Sequence, residues 1–154
     1  MTVGAANWDG AHSATEHLLQ LGHRRIGMIG GREDLQCSSA REDGYLSALR
    51  RAGVAVDPAL MVPGDFSIES GEAGTRKLGL SIPEDLSIIG FDDIPAAEWI
   101  EPGLTTIRQL VVQMAEAAMR ALLRHLDGDE ELPQRIELGT ELVVRASTAA
   151  PRKA

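Results

Sequence analysis

The sequence predicts an α/β fold in which a parallel β-sheet is flanked by helices. Short apolar runs alternate along the chain with segments in which apolar residues recur at helical spacing. Glycines follow several of these helical segments, at the position where helices commonly end. Strands that are joined through helices run parallel, and the helices cover the faces of the sheet. Ligands in such sheets bind beyond the carboxyl ends of the strands, so polar residues at strand ends are the candidates for a site.

The beginning of the chain predicts a strand, a helix and a second strand. Residues 3–7 form a short apolar run, and the segment DGAHSATEHLLQLG then keeps helical spacing and ends at Gly22. Its apolar stripe consists of Ala11, Ala14, Leu18 and Leu21. The apolar segment RRIGMIGG follows and predicts a strand that two glycines terminate.

Two further helices and a strand are predicted before residue 80. The segment SSAREDGYLSALRRAG begins with Ser39 and Glu42, which are spaced as a capping box, and it ends at Gly53. Its buried stripe consists of Tyr45, Ala48, Leu49 and Ala52. The segment ALMVPGDF predicts a short strand that leads into a loop, and SIESGEAGTRKLG predicts a helix that ends at Gly79.

The second half of the chain predicts strands on both sides of one long helix. The apolar run of residues 86–91 predicts a buried strand, which the adjacent acids Asp92 and Asp93 follow directly. LTTIRQ predicts an extended segment, residues 109–126 a helix, and RIELGTELVVRAST a final strand. The helix is apolar over a wide arc, which indicates burial on more than one side, such as a core and a subunit interface.

Composition restricts the function classes. The 154 residues carry a net charge of −8, which argues against a polyanion-binding surface, since such surfaces need clustered Lys and Arg. The triplet His23-Arg24-Arg25 is interpreted as the solvated start of a strand. A single cysteine excludes an internal disulfide and fits a reducing compartment. No apolar run approaches the ~20 residues that span a bilayer, and no signal-peptide pattern is visible, so a cytoplasmic location is expected.

Metal and catalytic motifs are absent from the pattern. Neighbouring residues on a strand point to opposite faces, so Asp92 and Asp93 do not naturally converge on one metal ion. In HSATEH, three residues separate His12 from Glu16, where the zinc motif of this kind has two. GMIGGR lacks the spacing of a phosphate-binding loop, and no G-x-S-x-G elbow exists. The sequence therefore predicts neither an enzyme nor a metal or cofactor site.

Arg41 is the first candidate ligand-binding residue. The predicted helix places it in the first turn, where the helix macrodipole disfavours a cation. A guanidinium in that position indicates a bidentate partner such as ligand hydroxyls. A surface ion pair with Glu42 or Asp34 is the alternative.

Three other residues are candidates for the same site. Phe66 lies in the polar loop PGDFSIESG, where an aromatic ring either stacks on a sugar-like ligand or packs beneath the loop. Asp92 ends a strand, and because no basic residue follows the two acids until Arg108, hydroxyl groups and not an ion pair are its expected partners. Cys37, just before the predicted helix start, is interpreted as a lining residue and not a nucleophile, since no motif places a His beside it.

Six segments in a fixed order resemble the effector-binding core of LacI/GalR-type transcriptional repressors, which are similar in fold to periplasmic sugar-binding proteins. The segments are HLLQLGHRRIGMIGG, SSAREDGYLSAL, PGDFSIESG, LSIPEDLSIIGFDD, PGLTTIRQ and TELVVRAST. The resemblance implies that Arg41, in an Arg-x-x-Gly-Tyr motif, hydrogen-bonds the effector, that Phe66 stacks on it and that Asp92 accepts its hydroxyls. Cys37 would line the pocket at a place where the family often has a small polar side chain.

The resemblance also implies how the chain is organised. Residues 1–104 would form the C-terminal effector-binding subdomain, residues 105–139 the crossover, helix and strand of the N-terminal subdomain, and residues 140–154 a return strand and tail. One helix–strand–helix unit of the family, roughly 30 residues long, is missing near residues 74–75, and its loss would leave a gap in the sheet. Trp99 is expected either in packing or in the dimer contact.

The function implied is that of the ligand-sensing and dimerisation core of a DNA-binding repressor. A small sugar-like effector would bind between two subdomains, and a homodimer would hold operator DNA through an N-terminal helix-turn-helix that lies outside this chain. No membrane association is expected. A periplasmic-type sugar-binding protein that serves transport is the alternative, and an upstream signal peptide or helix-turn-helix would separate the two.

Overall fold

The computed structural model describes residues 1–67, 80–129 and 131–152. Its strands are β1 (Thr2–Ala5), β2 (Met28–Ile29), β3 (Met61–Val62), β4 (Ile89–Asp92), β5 (Thr105–Gln109), β6 (Arg135–Leu138) and β7 (Thr140–Val143). Its α-helices are α1 (Asn7–Leu21), α2 (Gln36–Arg51), α3 (Ala96–Trp99) and α4 (Val111–Leu126), and a short 3-10 helix spans Pro58–Leu60.

The strands pair mostly in parallel, which confirms the predicted α/β class. Within the described residues β1 pairs with β6, β2 with β3, and β4 with β5, all in parallel. The exception is β7, which lies antiparallel to the other edge of β5. These pairings form three separate sheets and not one continuous sheet. The register of β4 against β5 places Asp92 opposite Arg108.

Two glycines allow close packing around helix α1: Gly44 where α2 meets α1, and Gly10 where α1 meets β4. A Cβ atom at Gly44 of α2 would overlap the backbone carbonyl of Trp8 in α1. A Cβ atom at Gly10 would lie 2.8 Å from the ring of Phe91 in β4. Both glycines therefore allow backbone approaches that any larger residue would prevent. These approaches bring α1 onto α2 and onto β4, where the candidate site lies.

An apolar core among the described residues lies along α2 and packs against Met28 of β2 and Met61 of β3. Ile26, Tyr45 and Leu49 are each at most 7% exposed, and the Tyr45 hydroxyl donates a 2.8 Å hydrogen bond to the Ile26 carbonyl. Burial of a side chain such as that of Leu49 stabilises the fold by about 2 kcal/mol. The predicted stripe of α2 is confirmed at Tyr45, Ala48 and Leu49, whereas Ala52 is exposed.

The predicted capping box of α2 is wrong. The helix begins at Gln36 after Leu35, and no side chain caps it. The backbone amides of Ser38 and Ser39 donate to the Leu35 carbonyl instead, so the helix starts before Ser39 could act as its cap. Cys37 therefore lies within the first turn, and Arg41 lies in the second turn. The macrodipole argument for Arg41 does not apply there, because the effect fades beyond the first turn.

The segment RIELGTELVVRAST forms two strands that separate at Gly139. β6 pairs with β1, while β7 pairs with β5 in a different sheet. Residues 2–5 therefore lie beside the strand that follows α4, although the resemblance places them with residues 1–104. The domain limits drawn from the sequence remain a prediction.

Helix α4 leaves an apolar face open to solvent. It begins at Val111, because Gln109 still pairs with Thr140 as the last residue of β5. Six of its large apolar residues are exposed, by 48% to 71%: Val111, Val112, Met119, Leu122, Leu123 and Leu126. The sequence predicts that this helix is buried on more than one side. Within the described part of the chain, however, much of its apolar surface is exposed.

Two predictions from the sequence fall outside the described residues. The helix predicted in SIESGEAGTRKLG covers residues 68–79, and the junction near residues 74–75 lies within the same stretch. As for membrane association, none of the described helices combines the length and the hydropathy that a bilayer span requires.

Candidate ligand-binding site

Asp92 lies at the carboxyl end of β4 and forms the centre of the candidate site. Its Oδ1 atom accepts hydrogen bonds from Arg41 Nη2, at 3.1 Å, and from Gln109 Nε2. The side chain is nevertheless 47% exposed, so about half of its surface is open to solvent. Its φ of 86° lies in the left-handed region, where a residue other than glycine is strained. The structure thus holds a carboxylate in an unusual backbone conformation, with one side fixed and one side open.

Arg41 is held by contacts from two other elements, α1 and β4. Its Nε donates to Asn7 Oδ1 at 2.8 Å, and the Asn7 amide is in turn oriented by a 3.0 Å bond from Nδ2 to the Ala5 carbonyl. The guanidinium carbon lies 3.6 Å from the centre of the Phe91 ring, within the range of a cation–π contact. With only 12% of its side chain exposed, the guanidinium has a fixed position at the edge of the site.

Arg41 forms an ion pair, but with Asp92 and not with Asp34, which was one of the two alternative partners. Asp34 is occupied by Arg32, through bonds of 3.0 and 2.7 Å. Arg41 pairs instead with Asp92, which lies 51 residues further along the chain. The expectation that Asp92 has no ion-pair partner is therefore wrong. The basic partner comes from α2, which precedes the strand, and not from the residues that follow it.

Phe66 closes another side of the site. Its ring centre is 5.4 Å from the Arg41 guanidinium carbon, and the residue is 49% exposed. Its ring lies against Gly31, where any Cβ atom would overlap it. Its φ of 67° is also left-handed, so two of the four predicted site residues have strained backbones. One part of the ring packs on the chain and the remainder is open to a ligand.

Cys37 lies one helical turn before Arg41, so the two side chains share a face of α2. The thiol is half-buried. The structure thus brings Arg41, Phe66 and Asp92 together around one space and places Cys37 on the helix face that leads into it.

Asp93 has different partners from Asp92, and it is buried. Its Oδ2 accepts a 2.7 Å hydrogen bond from Arg108 Nε, and its Oδ1 lies 2.7 Å from Arg145 Nη2, with only 6% of the side chain exposed. Burial raises the pKa of Asp93, but the bond from Arg108 and the proximity of Arg145 lower it, and the net effect is a pKa below the usual value. Asp93 therefore remains ionised and shielded behind the site.

Three residues of the site were not found from the sequence: Asn7, Phe91 and Gln109. Asn7 lies just beyond the carboxyl end of β1, Phe91 precedes Asp92 in β4, and Gln109 ends β5. The available signal was the rule that ligands gather beyond the carboxyl ends of parallel strands. The rule singles out acids at a strand end by their charge, whereas an amide in the same position has no such signal.

The arrangement can form hydrogen bonds and stack, and it carries no evident reactive group. One carboxylate, one guanidinium, two side-chain amides and a half-exposed ring are joined by direct contacts through Arg41 and Asp92. Across residues 1–67, 80–129 and 131–152, no three His, Cys, Asp or Glu side chains are grouped closely enough to hold a metal ion.

Comparisons with known proteins identify relatives of this chain. The profile of a family described as the periplasmic binding protein-like domain matches residues 15–77 and 59–148. The HTH-type transcriptional repressor CytR of Escherichia coli (strain K12) is 34% identical, with 97% of this chain and 52% of that protein aligned. A solved structure described as a complex of the transcriptional regulator CelR with cellobiose has 32% identity and a TM-score of 0.88, over 94% of this chain and 53% of that one. A LacI family regulator from Enterococcus faecium, described with bound ribose, has 28% identity and a TM-score of 0.87, over 97% of this chain and 66% of that one.

The matches cover only part of the length of the relatives. The chain spans about half the length of the curated relatives it matches. The alignment with CytR runs over 177 positions, 23 more than the 154 residues of this chain. CytR therefore contains at least that many residues with no counterpart here, within the region that the two proteins share.

Proposed function

Because this chain belongs to the periplasmic binding protein-like domain family and aligns with the effector-binding core of LacI-family regulators, we propose that it senses a small sugar-like effector for a DNA-binding transcriptional repressor. The observation that carries the proposal is the Asp92 carboxylate, which Arg41 and Gln109 fix on one side and which is open on the other beside Phe66. These residues would bind the effector, with Cys37 lining the same space.

The chemistry of the site favours a neutral, hydroxyl-rich ligand. A carboxylate accepts hydrogen bonds from hydroxyl groups, whereas the amides and the guanidinium can donate to ring and hydroxyl oxygens. The positive charge of Arg41 is already balanced by Asp92, which gives an anionic ligand little to pair with. A half-exposed aromatic ring offers a flat face for the C–H side of a sugar ring. The relatives described with cellobiose and ribose support this ligand class.

We further propose that the effector acts by shifting a conformational equilibrium. It would bind between this edge of the sheet and the layer that contains β1, β6 and α4, and it would favour the closed arrangement of the two. The closed form would place paired DNA-binding segments differently from the open form. Coupling of this kind typically amounts to ~1–3 kcal/mol, which changes DNA affinity roughly 5- to 150-fold.

A homodimer is part of the proposal, and Trp99 is its candidate contact. Trp99 is 80% exposed at the end of α3, so it does not pack within the described part of this chain. Ile94 and Ile100, on either side of α3, are 55% and 47% exposed. An apolar patch that contains a nearly free tryptophan fits the centre of a protein interface.

The alternative is a transport protein of the periplasmic sugar-binding type. The named relatives are transcriptional regulators and not transporters or enzymes, which favours the regulator and a cytoplasmic location. A signal peptide encoded upstream of this sequence would instead support transport, and a helix-turn-helix would exclude it.

We also propose that the polypeptide contains a further helix–strand–helix unit near residues 74–75. Two observations support this: the longer alignment with CytR, and the separation of β2–β3 from the β4–β5–β7 sheet. A mass map of proteolytic peptides from the natural protein tests it, with peptides expected that contain additional sequence between Gly74 and Thr75. A peptide in which Gly74 directly precedes Thr75 would reject the additional unit.

The function is tested with the protein expressed from its complete gene. Calorimetry with cellobiose and ribose measures binding, and selection from random DNA duplexes, with and without sugar, measures DNA recognition. We expect sugar binding, enrichment of a palindromic duplex, and a sugar-dependent change in its affinity. Sugar binding without DNA enrichment would favour the transport protein, and binding of neither sugar would contradict the proposed effector class.

A further inference from the structure

Asp93 connects the end of β4 to both β5 and the segment that follows β7. Its two carboxylate oxygens are each 2.7 Å from a different arginine, Arg108 of β5 and Arg145 just after β7. Its backbone amide also donates to the side-chain hydroxyl of Thr106 at 3.3 Å. One residue at the end of β4 is thus tied to both of the strands that complete its sheet.

Those two strands form two of the three connections to the other layer of the molecule. β5 leads directly into α4, and β7 begins two residues after β6 ends. Both α4 and β6 lie against β1, and the β1–β6 sheet shares no strand with the sheet of β4. The third connection runs from β1 into α1 at Asn7. Movement of that layer relative to the site therefore involves the backbone near Arg108 and near β7, together with the start of α1.

The contacts of the two neighbouring acids with β5 cross each other. Asp92, the last residue of β4, is bonded to Gln109, and Asp93, which follows it, is bonded to Arg108, so two consecutive acids hold two consecutive residues of β5. Asp92 and Asp93 both have left-handed backbones, with φ of 86° and 48°. Such strained residues persist only where surrounding contacts hold them.

Arg145 extends the same cluster to α3. Its Nη2 atom is 3.2 Å from Glu98 Oε1, and its Nη1 donates to the Leu104 carbonyl at 2.7 Å. Only 14% of the Arg145 side chain is exposed. The buried carboxylate of Asp93 is therefore the common partner of two arginines from separate strands, one of which also reaches the helix that carries Trp99.

We propose that Asp93 is a positioning residue, which acts through Arg108 and Arg145 to hold the Asp92 carboxylate in register with Gln109 and with the strands that lead to the other layer. Asp93 does not touch the ligand, yet ligand affinity and the response of the other layer depend on it. The part that concerns ligand affinity rests on the proposed function; the part that concerns the strands does not.

The physical reason is the loss of a buried charge that two arginines share. In an Asp93→Asn variant the shape of the side chain is kept, but Arg108 and Arg145 lose their common counter-charge. Each arginine keeps another acid, Glu141 for Arg108 and Glu98 for Arg145, but neither of these acids lies at the end of β4. The two strands are then held less tightly to the end of β4, and the strained backbone beside Asp92 loses part of its support.

The first test needs no ligand. Hydrogen exchange is measured on the natural protein and on Asp93→Asn, with Asp129→Asn as a control that breaks the exposed ion pair to Arg124. We expect amides of β5 and β7 to exchange at least tenfold faster in Asp93→Asn, with the amide of Leu49 in α2 unchanged, and no change in the control. Equal acceleration in α2, or no acceleration in β5 and β7, would overturn the proposal.

The second test is a double-mutant cycle on the affinity for cellobiose or ribose. If Asp93 acts through Arg108, then Asp93→Asn and Arg108→Gln each weaken binding at least fivefold, and the double variant is no weaker than Asp93→Asn alone. Multiplicative losses would mean independent effects and would overturn it. Should Asp93→Asn fail to fold, Arg108→Gln alone must accelerate exchange in β5, and an unchanged rate there would overturn the proposal.

The two tests keep the two proposals apart. If the natural protein binds neither sugar, the proposed effector class fails, while hydrogen exchange still decides whether Asp93 positions the strands. If the sugar binds normally to Asp93→Asn and exchange is unchanged, the positioning role fails and the proposed function stands.

Discussion

Arg41 Nη2 lies 3.1 Å from Asp92 Oδ1, and this contact joins α2 to the end of β4. The arginine is almost buried, whereas the aspartate is about half exposed. The ion pair is therefore asymmetric: the cation belongs to the scaffold, and the carboxylate presents its free side to solvent. A ligand that reaches Asp92 meets a carboxylate whose position is already fixed, which reduces the ordering that binding requires.

Replacement of Arg41 by Ala is expected to weaken sugar binding roughly 10- to 150-fold. A hydrogen bond to a charged group contributes about 1.5–3 kcal/mol, and Asp92 would also lose the contact that orients it. Calorimetry with cellobiose or ribose measures the change. Arg32→Ala is the matched control, because it removes an exposed Arg–Asp pair outside the site. Equal affinities for the Arg41 and Arg32 variants would contradict the assignment.

Substitution of Gly31 by Ala is expected to act on the site through Phe66. A methyl group at residue 31 overlaps the Phe66 ring, whereas at Gly30 the nearest atom is the Val62 carbonyl oxygen, at an ordinary 3.6 Å. The ring must move in the first variant and can stay in the second. We expect Gly31→Ala to weaken sugar binding to the level of Phe66→Ala, and Gly30→Ala to bind normally. Normal binding by Gly31→Ala would show that the ring does not contribute.

The stability of the fold is expected to fall at acidic pH because of Asp93. Burial raises the pKa of this carboxyl, but Arg108 and Arg145 together lower it by more than burial raises it. The folded-state pKa of Asp93 therefore lies below the unfolded-state pKa. Such a group stabilises the fold above its unfolded pKa, about 4. The contribution is lost as the pH falls through the folded-state pKa.

Denaturant titrations between pH 2 and pH 7 check this. The free energy of unfolding of the natural protein should decrease more steeply below pH about 4 than that of Asp93→Asn, which has no carboxyl to titrate there. Parallel pH profiles of the two proteins would show that Asp93 has the same pKa in both states.

Substitution of Trp99 by Ser is expected to weaken or abolish the proposed homodimer. Interface tryptophans commonly contribute 2 kcal/mol or more, roughly a 30-fold change in the dissociation constant. Analytical ultracentrifugation over a concentration series measures it. Val62→Ser is the control, since Val62 is 49% exposed but belongs to the β2–β3 sheet. If the Trp99→Ser variant dimerises as tightly as the natural protein, Trp99 is not part of the interface. The exposed apolar face of α4 would then be the next candidate.

Helices α1, α2 and α4 and the acid-bearing strand could be predicted from the sequence, because periodicity and terminal glycines depend on residues that are close along the chain, whereas the short helix α3 was not predicted. Gly22 ends α1 with a left-handed φ of 103°, as its position indicated. The start of α2 could not be predicted in the same way, because backbone bonds to Leu35 replaced the side-chain cap that the Ser39 and Glu42 pattern suggested.

The partners of the acids depend on tertiary structure. Asp92 meets Arg41 from 51 residues earlier, and Asp93 meets Arg145 from 52 residues later. Nothing in the neighbouring sequence signals either contact. The division of the final segment into β6 and β7 has a similar cause, because each half pairs with a strand from a distant part of the chain. Asn7 and Gln109 were missed since an amide at a strand end carries no motif of its own.

The most direct measurement of the central claim is a calorimetric titration of Asp92→Ala with the sugar that binds the natural protein. If Asp92 is the acceptor for effector hydroxyls, the variant should remain folded and dimeric and should bind the sugar at least 10-fold more weakly, in keeping with the loss of a charge-assisted hydrogen bond of about 1.5–3 kcal/mol. An affinity equal to that of the natural protein would contradict the claim that this edge of the sheet is the effector site.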